Sequence, residues 1–242
     1  MSGMGRDTAR YDLIRDFYLD VVGVEADDVV AATLLDLLGE VRGERVLDLA
    51  CGHGRIARAL ARRGASVVGM DLSEALLERA RTAEAAEPLG IAYLRGDVTS
   101  PVALAGERFD AVACNHGLAD IDDLEGAVAT AARVLAPGGR FVFSILHPCF
   151  PGWDATTPSS WPRAGGYHAE GWWLARNPGI RGKVGSSHRT LSTYVNMLVR
   201  HRLVLDEVAE PEPWGTIRAR QAAAQPGAGP PPMFLVARCR RV

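Results

Sequence analysis

Asp48, Asp71 and Asp97 stand at or near the ends of three strand patterns, and small residues at Ala50, Gly52 and Gly54 follow the first of them. Val46 to Leu49 reads as a buried parallel strand, and a helical pattern begins after Gly54. A turn with so little side-chain bulk lets a ligand approach the main chain, where the unpaired N–H groups of a helix start can meet an anionic group. A pyrophosphate would be repelled by Asp48, whereas a ligand carrying an ammonium group and hydroxyls would gain a charge-assisted hydrogen bond there. Asp71, about twenty residues further on, can accept both hydroxyls of an adenosine ribose. His116 and His147 follow the fourth and fifth strand patterns, beside the crevice of an open sheet, and histidine is the usual general base for a weakly acidic nucleophile. Pro148 fixes the chain's exit after His147, so the ring can face the pocket. Each histidine has a plainer alternative, a backbone hydrogen bond that shapes its loop. His168 and His188 are weaker candidates, and His53 and His201 are expected to be exposed.

The loop Asp48, Ala50, Gly52 and Gly54 resembles the first motif of the class I S-adenosylmethionine-dependent methyltransferases, with Ala50 standing where that family has its first glycine. Gly96-Asp97-Val98 is similar to the element whose aspartate meets the adenine amino group while a backbone N–H meets the ring. Cys114 to Leu118 stands where the family's backbone meets the methionine end of the cofactor, and LAPGGRFVFS is very similar to its post-helix motif. The matches run in order over residues 45–147. The resemblance implies a Rossmann-like methyltransferase fold of bacterial small-molecule type. Its cofactor is S-adenosyl-L-methionine, held by Asp48, Ala50, Gly52, Gly54, Asp71, Leu72, Asp97, Val98 and Asn115, with no metal. Gly52 to Ala57 also fits the G-x-G-x-x-[GA] dinucleotide fingerprint, but a nicotinamide-dependent dehydrogenase accounts neither for Asp48 in the first strand nor for an antiparallel ending.

These residues need a sheet to line them up. Strand patterns at 46–49, 66–71, 91–95, 109–115 and 140–147 alternate with helical patterns at 55–63, 73–87 and 123–135, as a parallel sheet with crossover helices requires. Ser73 reads as an N-cap, and Pro137-Gly138-Gly139 as a stop. A helix at about 190–200 leads to strands at 203–208 and 233–239 with no crossover helix between them. The expected fold class is therefore α/β: a doubly wound, mostly parallel seven-stranded sheet with an antiparallel C-terminal hairpin and a lid insertion. One domain spans residues 1–242.

Two stretches fall outside that alternation. Residues 1–40 form a helical cover with segments at 11–18 and 27–38, whose Tyr11-Asp12 pair resembles one that closes over the ligand in many small-molecule methyltransferases. Residues 148–200 form the lid insertion, rich in proline, glycine and aromatics up to 189. Tyr11, Tyr18, Trp153, Trp172 and Tyr194 are the expected acceptor contacts, the flat rings suiting a largely apolar or aromatic molecule. The 188–196 segment resembles a stretch after the lid of bacterial small-molecule methyltransferases.

The chain has 242 residues, 48% hydrophobic and 23% charged, which suits one α/β domain. A net charge of -2 supplies no basic field for nucleic acid. Cys51, Cys114, Cys149 and Cys239 have neither zinc-site nor disulfide spacing. Nothing resembles a signal peptide or a membrane span, so the expectation is a cytoplasmic protein acting on a small molecule, without nucleic acid or membrane partners. Its oligomeric state stays open, with a homodimer as one option. O-methylation is favoured over N- or C-methylation. The alternatives are a protein that binds the cofactor without transferring its methyl group, and a methyltransferase acting on protein or nucleic acid.

Overall fold

The computed structural model describes residues 9–150, 165–175, 178–212 and 232–242. Strands β1 (Arg45–Leu49), β2 (Ser66–Asp71), β3 (Ala92–Arg95), β4 (Phe109–Asn115) and β5 (Leu135–Leu146) are interleaved with helices. The connecting helices are α3 (Arg55–Arg62), α4 (Glu74–Ala86) and α5 (Leu124–Val134), preceded by α1 (Arg15–Val22) and α2 (Val29–Leu38). A short ribbon of β6 (Gly171–Trp173) and β7 (Ser186–His188) flanks α6 (Ile180–Val184), and α7 (Leu191–Arg200), β8 (Leu203–Ala209) and β9 (Phe234–Arg241) complete the chain. The seven-stranded sheet has the order β3-β2-β1-β4-β5-β9-β8. Its first five strands pair in parallel, and β9 pairs antiparallel with both β5 and β8.

Alternation along the strands assigns side chains to two cores, as period two requires. Leu47, Leu49, Val112, Phe141 and Phe143 face α5 and α7, whose Leu124, Val128, Met197 and Leu198 join them. Val46, Ala111, Ala113 and Val142 face Leu34 and Leu38 of α2, Ile56 and Leu60 of α3, and Leu77 of α4. The parallel register, Val46 opposite both Val67 and Ala111, brings the carboxyl ends of β1, β2 and β4 to one edge. That edge carries the loops of interest.

Three boundaries differ from the sequence pattern. The segment at 11–18 is a 3-10 turn, Arg10–Ile14, followed by α1, which Gly23 ends at φ +74°. Pro137 to Gly139 do not separate helix from strand: α5 stops at Val134, and β5 already pairs Leu135 with Phe109. Their register shift is a bulge, because Gly138 takes φ +74° and a Cβ on Gly139 would sit 2.9 Å from the carbonyls of Ala136 and Asp110. The lid contains regular structure, the β6–β7 ribbon and α6, which its proline and glycine content conceals. No described helix is long and apolar enough to cross a membrane.

Candidate functional site

Asp48 is 1% exposed, and its Oδ2 accepts a hydrogen bond from the Ala57 amide at 2.9 Å. It therefore supports the first turn of α3 from beneath, and burial pushes its carboxyl up to about 7. The carboxylate, which the sequence expects to meet a ligand ammonium, has Oδ2 committed to this supporting bond. Asp71 links the loop to β2, its Oδ2 accepting from Gly52 N at 2.7 Å and its Oδ1 from Ser73 N at 2.8 Å. Burial raises its pKa, against the pull of those amides. Leu72 occupies the turn before Ser73, which caps α4 through Leu76 N at 3.2 Å. Gly52 has φ +54°, and a Cβ there would meet only Leu76 Cδ1 at 3.7 Å and the Tyr18 hydroxyl at 3.9 Å. Tyr18 of α1 therefore packs within van der Waals reach of the loop. Gly54, at φ +85°, has no room for a Cβ because the Tyr93 hydroxyl would overlap it.

A second loop closes the other side. A Cβ on Gly117 would come within 2.7 Å of Ala50 Cβ and 2.9 Å of Cys114 Sγ, so the β4 loop presses on the glycine loop. Ala50 itself stands at φ +59°, a strained position for a residue with a Cβ. Ser144 pins the end of β4: its Oγ donates to Asn115 Oδ1 at 2.7 Å and accepts from His116 N at 2.9 Å. Asp97 is exposed and accepts from the Thr99 amide at 2.8 Å and hydroxyl at 2.7 Å, whereas the Val98 side chain is buried in the core.

His116 and His147 differ in what their rings do. His116 is partly buried at φ +61°, its ring 5.6 Å from that of Phe234, and neither ring nitrogen has a hydrogen-bond partner among the described residues. Burial, reinforced by the charges of Arg181 and Arg55, lowers its pKa to about 4, so the ring is neutral. His147 is 5% exposed and lies one residue beyond β5. Its Nδ1 accepts from Cys149 N at 3.0 Å, and its Nε2 lies 2.9 Å from Glu210 Oε1. Both nitrogens are engaged in holding the turn. His53 is the converse of the sequence expectation: it is buried, with Nε2 2.7 Å from the Gly23 carbonyl, because α1 crosses the glycine loop.

The cover and the lid converge above these loops. Tyr11 packs edge-on to Tyr18 at 5.0 Å, and Tyr18 to His53 at 5.7 Å. Burial raises both phenols, Tyr18 to about 12. Tyr11 donates to Asp120 Oδ2 at 2.7 Å, and Arg181 of α6 pairs with Asp120 Oδ1. Tyr194 is buried against the core with Arg189 beside it. Trp172 is half exposed, with the Arg10 guanidinium 6.0 Å from its ring, and Trp153 lies outside the described residues.

Sequence reasoning misses the side chains that join these parts. Asp12 accepts from Ser73 Oγ at 2.5 Å and Ala75 N at 3.2 Å, capping α4 from the cover. Arg55 donates to the carbonyls of Val22 and Glu25 and pairs with Asp28, which also caps α2. A basic residue in the first turn of a helix opposes the helix dipole, and that misplacement is the available signal. Nothing comparable marks Asp120, Arg181 or Ser144.

Residues 47–143 match the model of a methyltransferase domain family. A 110-residue stretch is 40% identical to a ubiquinone biosynthesis O-methyltransferase from Alkalilimnicola ehrlichii, covering 46% of this chain and 44% of that protein. The chain thus spans less than half the length of the curated relatives it matches. Over 89% of its length and 99% of the other's, it is 32% identical to an S-adenosylmethionine-dependent methyltransferase from Mesorhizobium loti, with a TM-score of 0.70. It shares its fold, at 19% identity and a TM-score of 0.64, with a Burkholderia thailandensis 1,6-didemethyltoxoflavin N1-methyltransferase over 96% of this chain and 87% of that one. The chain belongs to the S-adenosylmethionine-dependent methyltransferases. Its cofactor is S-adenosylmethionine, and the glycine loop, its main chain bare of side chains at Gly52 and Gly54 and joined to Asp71, fits the group.

Proposed function

We propose that this chain transfers the methyl group of S-adenosylmethionine to a hydroxyl of a small aromatic acceptor, with His116 taking the proton. The carrying observation is the His116 ring, neutral and without a nitrogen partner among the described residues, beside the glycine loop. When bound, the cofactor supplies an electrophilic methyl on a sulfonium. Gly52, Asp71, Leu72 and Asn115 would hold it, with the exposed Asp97 and the backbone at Val98 on the adenine side. Asp48 and Ala50 shape that loop. His116 then accepts a hydrogen bond from the acceptor hydroxyl and removes its proton as the oxygen gains its methyl group. An imidazole of such low basicity suits a phenol better than an alkanol. His147 keeps a positioning role at the rim. The likeness to a ubiquinone biosynthesis O-methyltransferase supports oxygen as the nucleophile, and Tyr11, Tyr18, Trp172 and Tyr194 supply aromatic surface.

Incubation with labelled donor and a panel of phenols, catechols, amines and carboxylic acids tests the reading. Transfer to phenols should dominate, and His116→Ala should lower turnover by roughly 10²–10⁴-fold with donor affinity little changed. Labelling of protein or nucleic acid alone, or full activity in His116→Ala, contradicts it.

A further inference from the structure

Arg181 uses only part of its guanidinium in contacts with the protein. The side chain is 15% exposed, and Nη1 alone carries its contacts, to Asp120 Oδ1 and to the Gly185 carbonyl. Nε and Nη2, which form the side-on fork of a guanidinium, have no partner among the described residues. That fork is open to solvent, and its planar geometry matches a carboxylate in two parallel hydrogen bonds.

The surroundings add to that preference. Asp120 is already committed on both oxygens, to Tyr11 and to Arg181. Arg10 pairs with Asp122. Arg189 spends its guanidinium on the carbonyls of Leu118, Ile121 and Asp122, with no carboxylate partner among the described residues. Of the three guanidiniums around the loop after His116, Arg181 and Arg10 each share a carboxylate of that loop, and Arg189 bonds its carbonyls. The Arg181 charge is felt at His116, Tyr11, Tyr18 and Tyr194 alike, which sets it among the aromatic groups assigned to the acceptor.

We propose that the acceptor is an aromatic hydroxy acid whose carboxylate is held by the Nε and Nη2 fork of Arg181 while its hydroxyl is presented to His116. This rests on the small-molecule reading above. The lid, through α6, thereby contributes a specificity residue to the site.

The test is calorimetric titration of 4-hydroxybenzoate and 4-hydroxybenzamide into the full chain saturated with S-adenosylhomocysteine. The acid should bind at least about tenfold more tightly than the amide, the preference should vanish in Arg181→Met, and affinity for S-adenosylhomocysteine should stay within about twofold. Arg181→Lys, which keeps the charge and loses the fork, should retain part of the preference even if the methionine variant folds poorly. Equal binding of acid and amide, no binding of either, or a preference that survives in Arg181→Met overturns the proposal. So does weakened S-adenosylhomocysteine binding in the variants, which would assign the fork to the donor's own carboxylate. Failure of the functional reading looks different: the acid binds with its Arg181 dependence, yet no phenol is methylated.

Discussion

At the scale of single residues, the site is governed by groups whose neighbours fix their protonation. His116 has a folded pKa of about 4, below the ordinary value near 6.5. The folded protein therefore binds fewer protons than the unfolded chain between those values, and its contribution to stability is present above about pH 6.5 and lost as pH falls toward 4. Asp48 has the opposite sense. Its folded pKa of about 7 means that its contribution is present below the unfolded value near 4 and is lost as pH rises toward 7. Urea titrations of wild type and Asp48→Asn across pH 4 to 8 should show the variant gaining relative stability as pH rises, by up to about 1.4 kcal/mol per pH step of one between the unfolded and folded pKa values. A pH-independent difference contradicts the assignment. Gly117→Ala tests the contact between the two loops. Its Cβ would fall 2.7 Å from that of Ala50, so we expect a loss of about 1–3 kcal/mol from overpacking, together with weaker donor binding. Stability and affinity both equal to wild type would show that the loops yield freely.

Between elements, the cover is tied to the sheet by side chains rather than by its own core. None of the residues of the 3-10 turn or of α1 is fully buried. Asp12 caps α4, the helix that follows Asp71, so the cover and the end of β2 share one anchor. Asp12→Ala should cost about 1 kcal/mol, as loss of a cap does, and should speed hydrogen exchange over residues 9–22. Arg55→Met should act on the same segment, because it leaves the Val22 and Glu25 carbonyls without their donor. Addition of S-adenosylhomocysteine should slow exchange in the cover of wild type. Exchange unaltered by either substitution or by ligand would mean that the cover packs independently of the site.

Across the whole molecule, the parts legible from sequence are those with a local signal. The alternation of strands and helices, the glycine loop and the cap after Asp71 each depend on residues close together in the chain, and the antiparallel hairpin shows in the absence of a crossover helix. The boundary at Pro137 to Gly139 misleads because proline and glycine mark a bulge as readily as a break. The cluster of Tyr11, Asp120 and Arg181 is invisible for another reason: the first two stand 109 residues apart and the last two 61, and no periodicity links them. His53 escapes for the same reason, since its burial depends on α1 crossing from elsewhere in the chain. The preference proposed for His116 over His147 also needs the fold, because it rests on which ring has its nitrogens already bonded.

The most direct test of methyl transfer to oxygen with His116 as base is the chemical position of the transferred methyl group. The full chain would be incubated with carbon-13 methyl-labelled S-adenosylmethionine and a phenolic acceptor, and the product followed by carbon NMR. The expected result is a methoxy resonance that is lost, or nearly so, with His116→Ala while donor binding persists. A label found on nitrogen or carbon, or a methoxy product formed at an undiminished rate by that variant, contradicts it.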